Sequence, residues 1–393
     1  MTVVVEGGKF VAIAPSTEFV PEQETRIVED LAGRFVIPGL IDSHQHIATP
    51  PNRAYAEALL RRQVYGGVTL IRSMADDLRQ VGELGRATLV GEIAGPDIVY
   101  AALMAGPEFF ADPRTIAVSQ GEVPGSVPWM QAITPETDLR LAVAMARGTG
   151  ARAIKLYADL SAAMVAAIVA EAHRQGVHVW AHTAVFPAMP HDVVATGVDV
   201  VSHVGMFVYA GSAHGPTGYA EKKPVGAAEL EGEFDPGIEA LIGEMRNRGT
   251  ILDATATLYQ RRDEVRDGDD GRPSEAVFAA RLVRQAHQAG IEISTGTDYE
   301  TDLTDPFPAL HRELEFLVHE CGLTPAEVLR SATLVGARAA GADDSRGLIE
   351  VGKIADFVVL ASDPLEDVRN LRTVQATIKR GCRYDRNDLS LGS

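Results

Sequence analysis

The sequence has little cysteine and no long apolar run. Two cysteines in 393 residues exclude a disulfide framework and a cysteine-rich zinc site. No stretch approaches the ~18 uninterrupted apolar residues of a membrane helix, and paired glycines interrupt the apolar start of the chain. We therefore expect a cytoplasmic protein that does not bind membranes.

Basic residues are also scarce, because 36 Lys and Arg stand against 54 Asp and Glu and give a formal net charge of −18. Binding to nucleic acid needs a basic face, so this balance excludes nucleic acid as the main partner. The lysines are Lys9, Lys155, Lys222, Lys223, Lys353 and Lys379. A lysine inside a predicted buried strand is therefore unusual in this chain.

Strand and helix patterns alternate through most of the chain. Eight predicted strands with helices between them indicate a (β/α)8 TIM barrel. Short β-branched runs at both ends predict a small β-sandwich domain formed by the two termini. We expect the sandwich to comprise 1–37 and 341–393, and the barrel 38–340. The predicted strands are 39–46, 68–73, 98–102, 153–157, 178–182, 198–203, 250–255 and 291–297.

Helical patterns are clearest at 52–65, 161–175, 236–248 and 273–289. Two connections are longer than is usual between elements, 109–135 and 208–234. We predict that each is a loop, and two interpretations stay open. Each could cover a functional site, or each could be a mobile part of the surface.

Side chains that bind metals lie at or near the predicted carboxyl ends of the barrel strands. They are His44, His46, Lys155, His182, His203 and Asp298. In a (β/α)8 barrel these ends meet at the face that carries catalytic groups. His44 and His46 stand two positions apart in a strand, so their imidazoles point to the same side. Imidazole is the commonest metal-ligand side chain, and the pattern therefore predicts a metal site.

Alternatives remain for several of these residues. Lys155 could point outward, pair with a carboxylate, or carry a carbamate that bridges two metal ions. His178 shares a strand face with His182, and we favour His182 because it lies at the carboxyl end. His203 could be a hydrogen-bonded structural residue, and Asp298 could cap the following helix.

The segment 38–46, Pro-Gly-Leu-Ile-Asp-Ser-His-Gln-His, resembles the opening signature of the amidohydrolase superfamily. Segments 323–333 and 347–360 are also similar to that family, and the resemblance covers almost the whole chain. It is nearest to the imidazolonepropionase-like and prolidase-like group. The later ligand positions match in order: Lys155, His182, His203 and Asp298.

The resemblance implies the same barrel and sandwich, with two divalent metal ions. His44 and His46 would bind the more buried ion, and His182 and His203 the more exposed one. Lys155, carboxylated by CO2, would bridge the two ions.

Asp298 would bind the first ion and transfer protons. Imidazolonepropionases usually bind one metal ion and lack this lysine, so Lys155 favours the binuclear hydrolases. A Gly-Gly stretch that often follows the lysine in dipeptidases is replaced by 157–160, which argues against a dipeptide substrate.

We therefore predict a metal-dependent hydrolase that cleaves an amide or peptide-like C–N bond of a small molecule. The mixed nitrogen and oxygen ligands favour Zn2+, and hydroxide formed at the ions would attack the carbonyl carbon. Asp298 would act as general base and then as general acid. Two alternatives stay open: hydrolysis of an ester, lactone, carbamate or organophosphate, and a non-catalytic barrel that acts as an interaction protein.

Candidate substrate contacts lie just beyond the predicted strand ends: Tyr157, Tyr209, Phe207, Arg72 and Tyr100. Arg72 could hold a substrate carboxylate through paired hydrogen bonds. Each of these residues could instead serve packing. The sequence leaves the oligomeric state open, including a homo-oligomer.

Overall fold

The computed structural model describes residues 1–18, 28–211, 215–222, 235–266, 272–298 and 303–389. Most of the predicted connection 208–234 lies outside these residues. His214, considered from the sequence as a residue that could reach a substrate, also lies outside them. Among the described residues, no helix is long and apolar enough to cross a membrane.

The centre of the molecule is a nearly closed barrel of parallel strands, which confirms the predicted fold class. Ser43 N donates a hydrogen bond of 2.6 Å to the Thr295 carbonyl, and this bond joins the first barrel strand to the segment that follows the last. The strands, in the order in which they pair, are β4 Leu40–Gln45, β5 Val68–Met74, β6 Asp97–Ala105, β9 Ala153–Leu156, β10 His178–His182, β11 Val200–Ser202, β12 Ile251–Asp253 and β13 Ile293–Ser294.

Apolar side chains pack inside the barrel on the amino-terminal side of the strands. Met74, Trp180 and Val200 belong to one buried cluster there. Val335 and Ala339 join the same cluster from the helical segment that follows the last barrel strand. The barrel interior is therefore a packed core, and its carboxyl-terminal mouth is the face at which catalytic groups normally lie.

Helices cover the outside of the barrel, and the four that the sequence patterns predicted begin and end within two residues of the predicted bounds. Asn52, Ser161 and Ser274 each accept a backbone N–H at the start of a helix, as expected for N-cap residues. The α-helices are Arg53–Tyr65, Leu78–Leu89, Pro113–Val118, Leu139–Gly148, Ala162–Arg174, Pro190–Ala195, Pro236–Arg248, Ala256–Glu264, Glu275–Gln288, Leu310–His319, Pro325–Arg330 and Gly336–Ala339.

Both termini contribute to a separate antiparallel sheet, as predicted. From one edge to the other its strands are Cys382–Asp385, Val374–Lys379, Phe357–Leu360 and Phe35–Pro38, so the one strand that precedes the barrel pairs with one of three strands that follow it. An N-terminal hairpin lies beside it, where Phe10 N donates to the Lys353 carbonyl. The strands of both parts are β1 Thr2–Glu6, β2 Lys9–Ala14, β3 Phe35–Pro38, β14 Phe357–Leu360, β15 Val374–Lys379 and β16 Cys382–Asp385.

The segment 109–135 is ordered, unlike the loop predicted for it. It contains part of the short turn Pro107–Ala111, the helix Pro113–Val118 and a hairpin of β7 Ser126–Val127 and β8 Met130–Ala132. β8 pairs in parallel with β6, so the hairpin extends the barrel sheet at the mouth. The sequence pattern missed it because these strands are only two and three residues long.

Buried charges lie at the amino-terminal base of the barrel, next to the terminal sheet. Asp97 begins β6 and lies 3.2 Å from Lys379 Nζ and 2.6 Å from Arg380 Nε. Arg346 pairs with both Asp97 and Asp356. Burial alone would raise the pKa of Asp97, but the neighbouring cations, Arg346 first, lower it below its usual value. We call these five residues the base cluster.

Candidate functional site

Three histidines surround one aspartate at the carboxyl-terminal mouth of the barrel. Asp298 Oδ1 lies 3.1 Å from His44 Nε2 and 3.2 Å from His46 Nε2. Asp298 Oδ2 lies 3.5 Å from His203 Nδ1. Side-chain atoms of His44, His203 and Asp298 lie within 4.8 Å of one another, which is close enough to share one metal ion. The structure therefore brings together residues separated by about 250 positions in the sequence.

His182 and Lys155 lie beside this group. The His182 ring is 4.7 Å from the His203 ring, and its Nδ1 is buried without a hydrogen-bond partner among the described residues. Burial holds the pKa values of His182 and His203 well below the usual value, so both imidazoles are neutral and able to bind a cation. His178, the competing candidate, lies at the other end of β10, near Asp199.

Lys155 is buried, and Nζ donates a 3.2 Å hydrogen bond to Ser202 Oγ. No carboxylate among the described residues forms an ion pair with Lys155. Burial lowers the pKa of Lys155 to about 7, although the charges of Asp253 and Asp298 oppose the shift. A substantial fraction of this amine is therefore neutral near pH 7, as carbamate formation requires.

A buried aspartate that the sequence analysis did not select supports the site from below. Asp253 Oδ2 accepts hydrogen bonds from His44 Nδ1 at 2.7 Å, Ser202 Oγ at 2.9 Å and Arg72 Nη2 at 3.1 Å. Since Nδ1 of His44 serves Asp253, Nε2 is the nitrogen that faces Asp298. An outer carboxylate of this kind fixes the tautomer and orientation of a metal-binding imidazole.

His46 is the most exposed of the four candidate ligand histidines, and carboxylates lie on two sides of its ring. Its Nδ1 lies 3.6 Å from Asp76 Oδ1, opposite the contact of Nε2 with Asp298. Burial disfavours the charged imidazole, but the hydrogen bonds to Asp298 and Asp76 raise the pKa of His46 to about 9. Two carboxylates therefore flank the His46 imidazole, an arrangement suited to a divalent cation.

The backbone at the mouth is conformationally restricted. Positive φ angles occur at several non-glycine residues that directly follow barrel strands or lie one turn beyond them, a region that side chains other than glycine rarely adopt. The residues are Ala75 (62°), Asp159 (54°), His203 (74°), Thr255 (48°) and Asp298 (54°). Such conformations persist where the surrounding structure holds them, and they concentrate at functional sites.

A pocket opens beside His46, and its empty space, counted together with the open side that faces solvent, is about 290 Å³. Its apolar wall consists of Leu103, Phe109, Val118 and Met130. Most of that wall comes from segment 109–135, for which the sequence patterns predict a loop.

The polar lining of the same pocket includes Tyr157 and Arg114, together with His46, Thr49 and Thr115. The Tyr157 ring lies 4.0 Å from the His182 ring, so the pocket reaches the candidate ligands. A substrate bound here would place an apolar group next to the histidines.

The donor set fits divalent metal ions. It offers neutral imidazole nitrogens, carboxylate oxygens and, at His182, a buried nitrogen that no described protein group satisfies. Nitrogen and oxygen donors of this type suit zinc and its first-row neighbours.

Comparison with known protein families shows the family to which the chain belongs. The model of the amidohydrolase family matches residues 35–383. The chain belongs to the amidohydrolase family. It is accordingly a hydrolase, and the predicted family resemblance is confirmed.

Individual relatives of this amidohydrolase are distant. It is 26% identical to an imidazolonepropionase of Micrococcus luteus over 384 residues, which cover 91% of this chain and 86% of the relative. It is 24% identical to an ochratoxinase of Aspergillus niger over 410 residues, which cover 92% and 77%. A crystal structure of a Xaa-Pro dipeptidase with bound methionine superposes with a TM-score of 0.74 at 21% identity, covering 98% and 94% of the two chains. At that identity the similarity establishes the fold alone.

The five predicted substrate contacts occupy different places in the amidohydrolase. Tyr157 lines the pocket. Tyr209 packs its ring 4.8 Å from that of Phe186. Phe207 is fully buried in the main hydrophobic core and does not reach the pocket, so its position corresponds to packing.

Arg72 and Tyr100 also differ from their predicted roles. The Arg72 guanidinium is buried inside the barrel, where it donates to the carbonyls of Ser43 at 2.6 Å and Ala339 at 2.8 Å and stacks on Trp180. Together with the hydrogen bond to Asp253, these contacts direct the Arg72 guanidinium towards groups of the protein and away from a substrate. Tyr100 lies near the start of β6 and its hydroxyl donates to the Thr149 carbonyl, away from the mouth. Alternation along a strand gives a side chain's face but not its depth in the barrel.

Sequence patterns also missed Asp253, Asp76 and Arg114. Asp253 had a usable signal, because it ends an apolar barrel strand in the same way as His182 and Lys155. Asp76 lies two residues beyond the end of β5 and carried a similar signal. Arg114 lies in the segment that had been treated as a loop, so nothing in its local sequence pointed to the pocket.

Proposed function

We propose that this amidohydrolase is a metal-dependent enzyme that cleaves an amide or peptide-like C–N bond of a small molecule. The observation that carries the proposal is the convergence of His44, His46 and His203 on the buried side of Asp298, with His182 and Lys155 adjacent. The relatives named imidazolonepropionase and ochratoxinase support the same class of bond.

Two divalent ions, with zinc favoured by the donor set, would be held by these residues. His44 and His46 would hold one ion with Asp298, and His182 and His203 the other. Lys155 would join them after carboxylation, in which its neutral amine adds CO2 and releases a proton to give an anionic carbamate. When bound, such ions lower the pKa of water and polarise a substrate carbonyl.

The protein's own groups would divide the remaining work. Asp298 lies at the centre of the histidines and would accept the proton from the attacking water and deliver it to the leaving nitrogen. Asp253 would keep His44 in one orientation through the 2.7 Å contact. The apolar wall formed by Leu103, Phe109 and Met130 favours a substrate with an apolar group beside the scissile bond.

The test combines metal analysis with a hydrolysis screen. The purified protein would be analysed for bound metals, reconstituted with zinc, manganese or cobalt, and assayed on dipeptides, N-acyl amino acids, lactones and aryl esters. We expect metal-stimulated release of amine from at least one amide or peptide. Turnover confined to esters or lactones would contradict the proposed bond class, and a protein that neither binds metal nor hydrolyses any substrate would contradict an enzymatic role.

A further inference from the structure

A tyrosine at the pocket wall has its hydroxyl fixed by a charged neighbour. Arg114 Nη1 lies 3.0 Å from the Tyr157 hydroxyl oxygen. A guanidinium has only donors, so the hydroxyl must be the acceptor in this hydrogen bond. The hydrogen of the hydroxyl is therefore not used by Arg114, and the described residues provide no other acceptor for it. It is available to a molecule in the pocket.

Arg114 is itself held in place. Asp112 accepts from Arg114 Nε at 3.0 Å and from Arg114 Nη2 at 2.7 Å, a bidentate pair that fixes the plane of the guanidinium. The pair also satisfies the charge of Arg114, which makes this arginine a weaker site for a substrate carboxylate. The remaining contact of the Arg114 guanidinium is with the Tyr157 hydroxyl, which it orients.

The Tyr157 ring is equally constrained. It stacks on Phe109 with ring centres 4.5 Å apart and contacts the His182 ring on the side of the histidines. It also follows Lys155 by two residues at the end of β9, on the same wall of the mouth. A tyrosine hydroxyl with its ordinary pKa of about 10 carries its proton near neutral pH. A fixed, protonated hydroxyl beside metal-binding histidines is a preorganised hydrogen-bond donor.

We propose that the Tyr157 hydroxyl donates a hydrogen bond to the oxyanion formed on the substrate carbonyl during hydrolysis, and that Arg114 is its positioning residue. This assignment rests on the proposed function, because it requires a carbonyl attacked beside the histidines. The attack forms a bond from the water oxygen to the carbonyl carbon, and the C=O electron pair moves to the carbonyl oxygen. Tyr157 stabilises that charge and keeps its own proton.

The first test measures binding and needs no turnover. Methylphosphonate is a tetrahedral anion that resembles the intermediate, and its Kd for the metal-reconstituted enzyme can be measured by calorimetry. We expect Tyr157→Phe to raise this Kd about 10-fold, since one hydrogen bond to a charged oxygen is lost. Tyr384→Phe is the matched control, because it removes the same hydroxyl from the terminal sheet, and it should leave the Kd unchanged.

A double-mutant cycle separates positioning from a general structural role. Arg114→Met should raise the methylphosphonate Kd, and Arg114→Lys should restore part of the loss. Adding Arg114→Met to Tyr157→Phe should change the Kd by less than about 2-fold, because both changes remove the same interaction. Fully additive effects would contradict the positioning role.

Kinetics on any amide that the wild type cleaves then assign the step. Tyr157→Phe should lower kcat about 100-fold with KM little changed, as for the loss of one oxyanion donor. An unchanged methylphosphonate Kd, or a raised KM with unchanged kcat, would overturn the assignment. Methylphosphonate binding through Tyr157 without cleavage of any amide would instead contradict the proposed function and leave the donor role supported.

Discussion

Two buried polar clusters occupy opposite ends of the same barrel and are built differently. At the base, Asp97 and Asp356 face Arg346, Lys379 and Arg380, so each carboxylate has cationic partners. At the mouth, the partners are mainly imidazoles and the one lysine has no described anionic partner. The base cluster pairs its carboxylates with cations of the protein, whereas the donors at the mouth form a group that could hold a metal ion.

The difference shows how function can be distinguished from structural support among buried charges. The buried His182 Nδ1 has no described hydrogen-bond partner, and strained φ angles gather at His203, Thr255 and Asp298. Buried polar groups without partners are destabilising, and proteins retain them mainly where a ligand satisfies them. Substitutions at the mouth should therefore change metal binding and activity, and substitutions at the base should change stability.

Asp298→Asn should produce the largest effect. The amide cannot transfer the proton, so we expect kcat/KM to fall by about 10⁴-fold while metal content stays close to that of the wild type. Steady-state kinetics and metal analysis by mass spectrometry measure the two quantities. Retained activity would remove Asp298 from the proton-transfer role.

Lys155→Ala should reduce both the metal content and the activity of the enzyme. We expect the loss of at least one bound ion and a fall in activity of more than about 100-fold, exceeding the effect of an outer-shell partner. Acetate should restore part of the activity by replacing the carbamate oxygens. Unchanged metal stoichiometry would mean that Lys155 is not a ligand.

Arg346→Met should give the opposite result at the base. It leaves Asp356 without its main cation, so we expect the free energy of unfolding to fall by about 3 kcal/mol. Urea denaturation followed by circular dichroism measures the loss. Metal content and kcat of the folded variant should remain within about 2-fold of the wild type, and a selective loss of metal would break the distinction between the two ends.

His311 provides a smaller, pH-dependent contrast. It is buried and shares a 2.8 Å hydrogen bond with the Gly66 carbonyl, and burial lowers its pKa to about 4. The unfolded chain binds this proton near pH 6.5 and the folded chain only near pH 4. Stability should therefore fall as the pH decreases from 6.5 to 4, by up to about 3 kcal/mol.

His311→Gln keeps a hydrogen-bond donor and cannot titrate, so it serves as the control for this region. Denaturation midpoints measured between pH 7 and 4 should depend less on pH in the variant. An identical pH dependence in both proteins would assign the effect to other groups.

Much of the fold was readable from local patterns. All eight barrel strands were predicted in the right places, because buried parallel strands form apolar runs bounded by turn residues. The helix Pro236–Arg248 has the predicted bounds, and Ser161, the first residue of the predicted range 161–175, caps the helix that follows it. The hairpin of β7 and β8 escaped prediction because its pairing with β6 depends on residues distant in sequence.

The candidate ligands were predictable for the same reason, since a barrel fixes where strand ends meet. Asp253 and Arg114 were not, because their importance lies in contacts with His44 and Tyr157 across the structure. Arg72 is the opposite case, a residue that the sequence pattern selected but whose contacts are all with the protein. Its position in a strand suggested a substrate contact, but its depth in the barrel places it against Asp253 and two backbone carbonyls.

The sequence by itself determined the barrel, the contribution of both ends of the chain to one sheet and the set of candidate metal ligands. These follow from periodicity and from the positions of polar side chains along strands, which are local properties. The tertiary structure alone decided which of those groups have partners. It brought Asp253 into contact with His44, used the Arg72 guanidinium for hydrogen bonds inside the barrel and placed Arg114 beside the Tyr157 hydroxyl. The distance between such side chains depends on tertiary packing, which no local sequence pattern records.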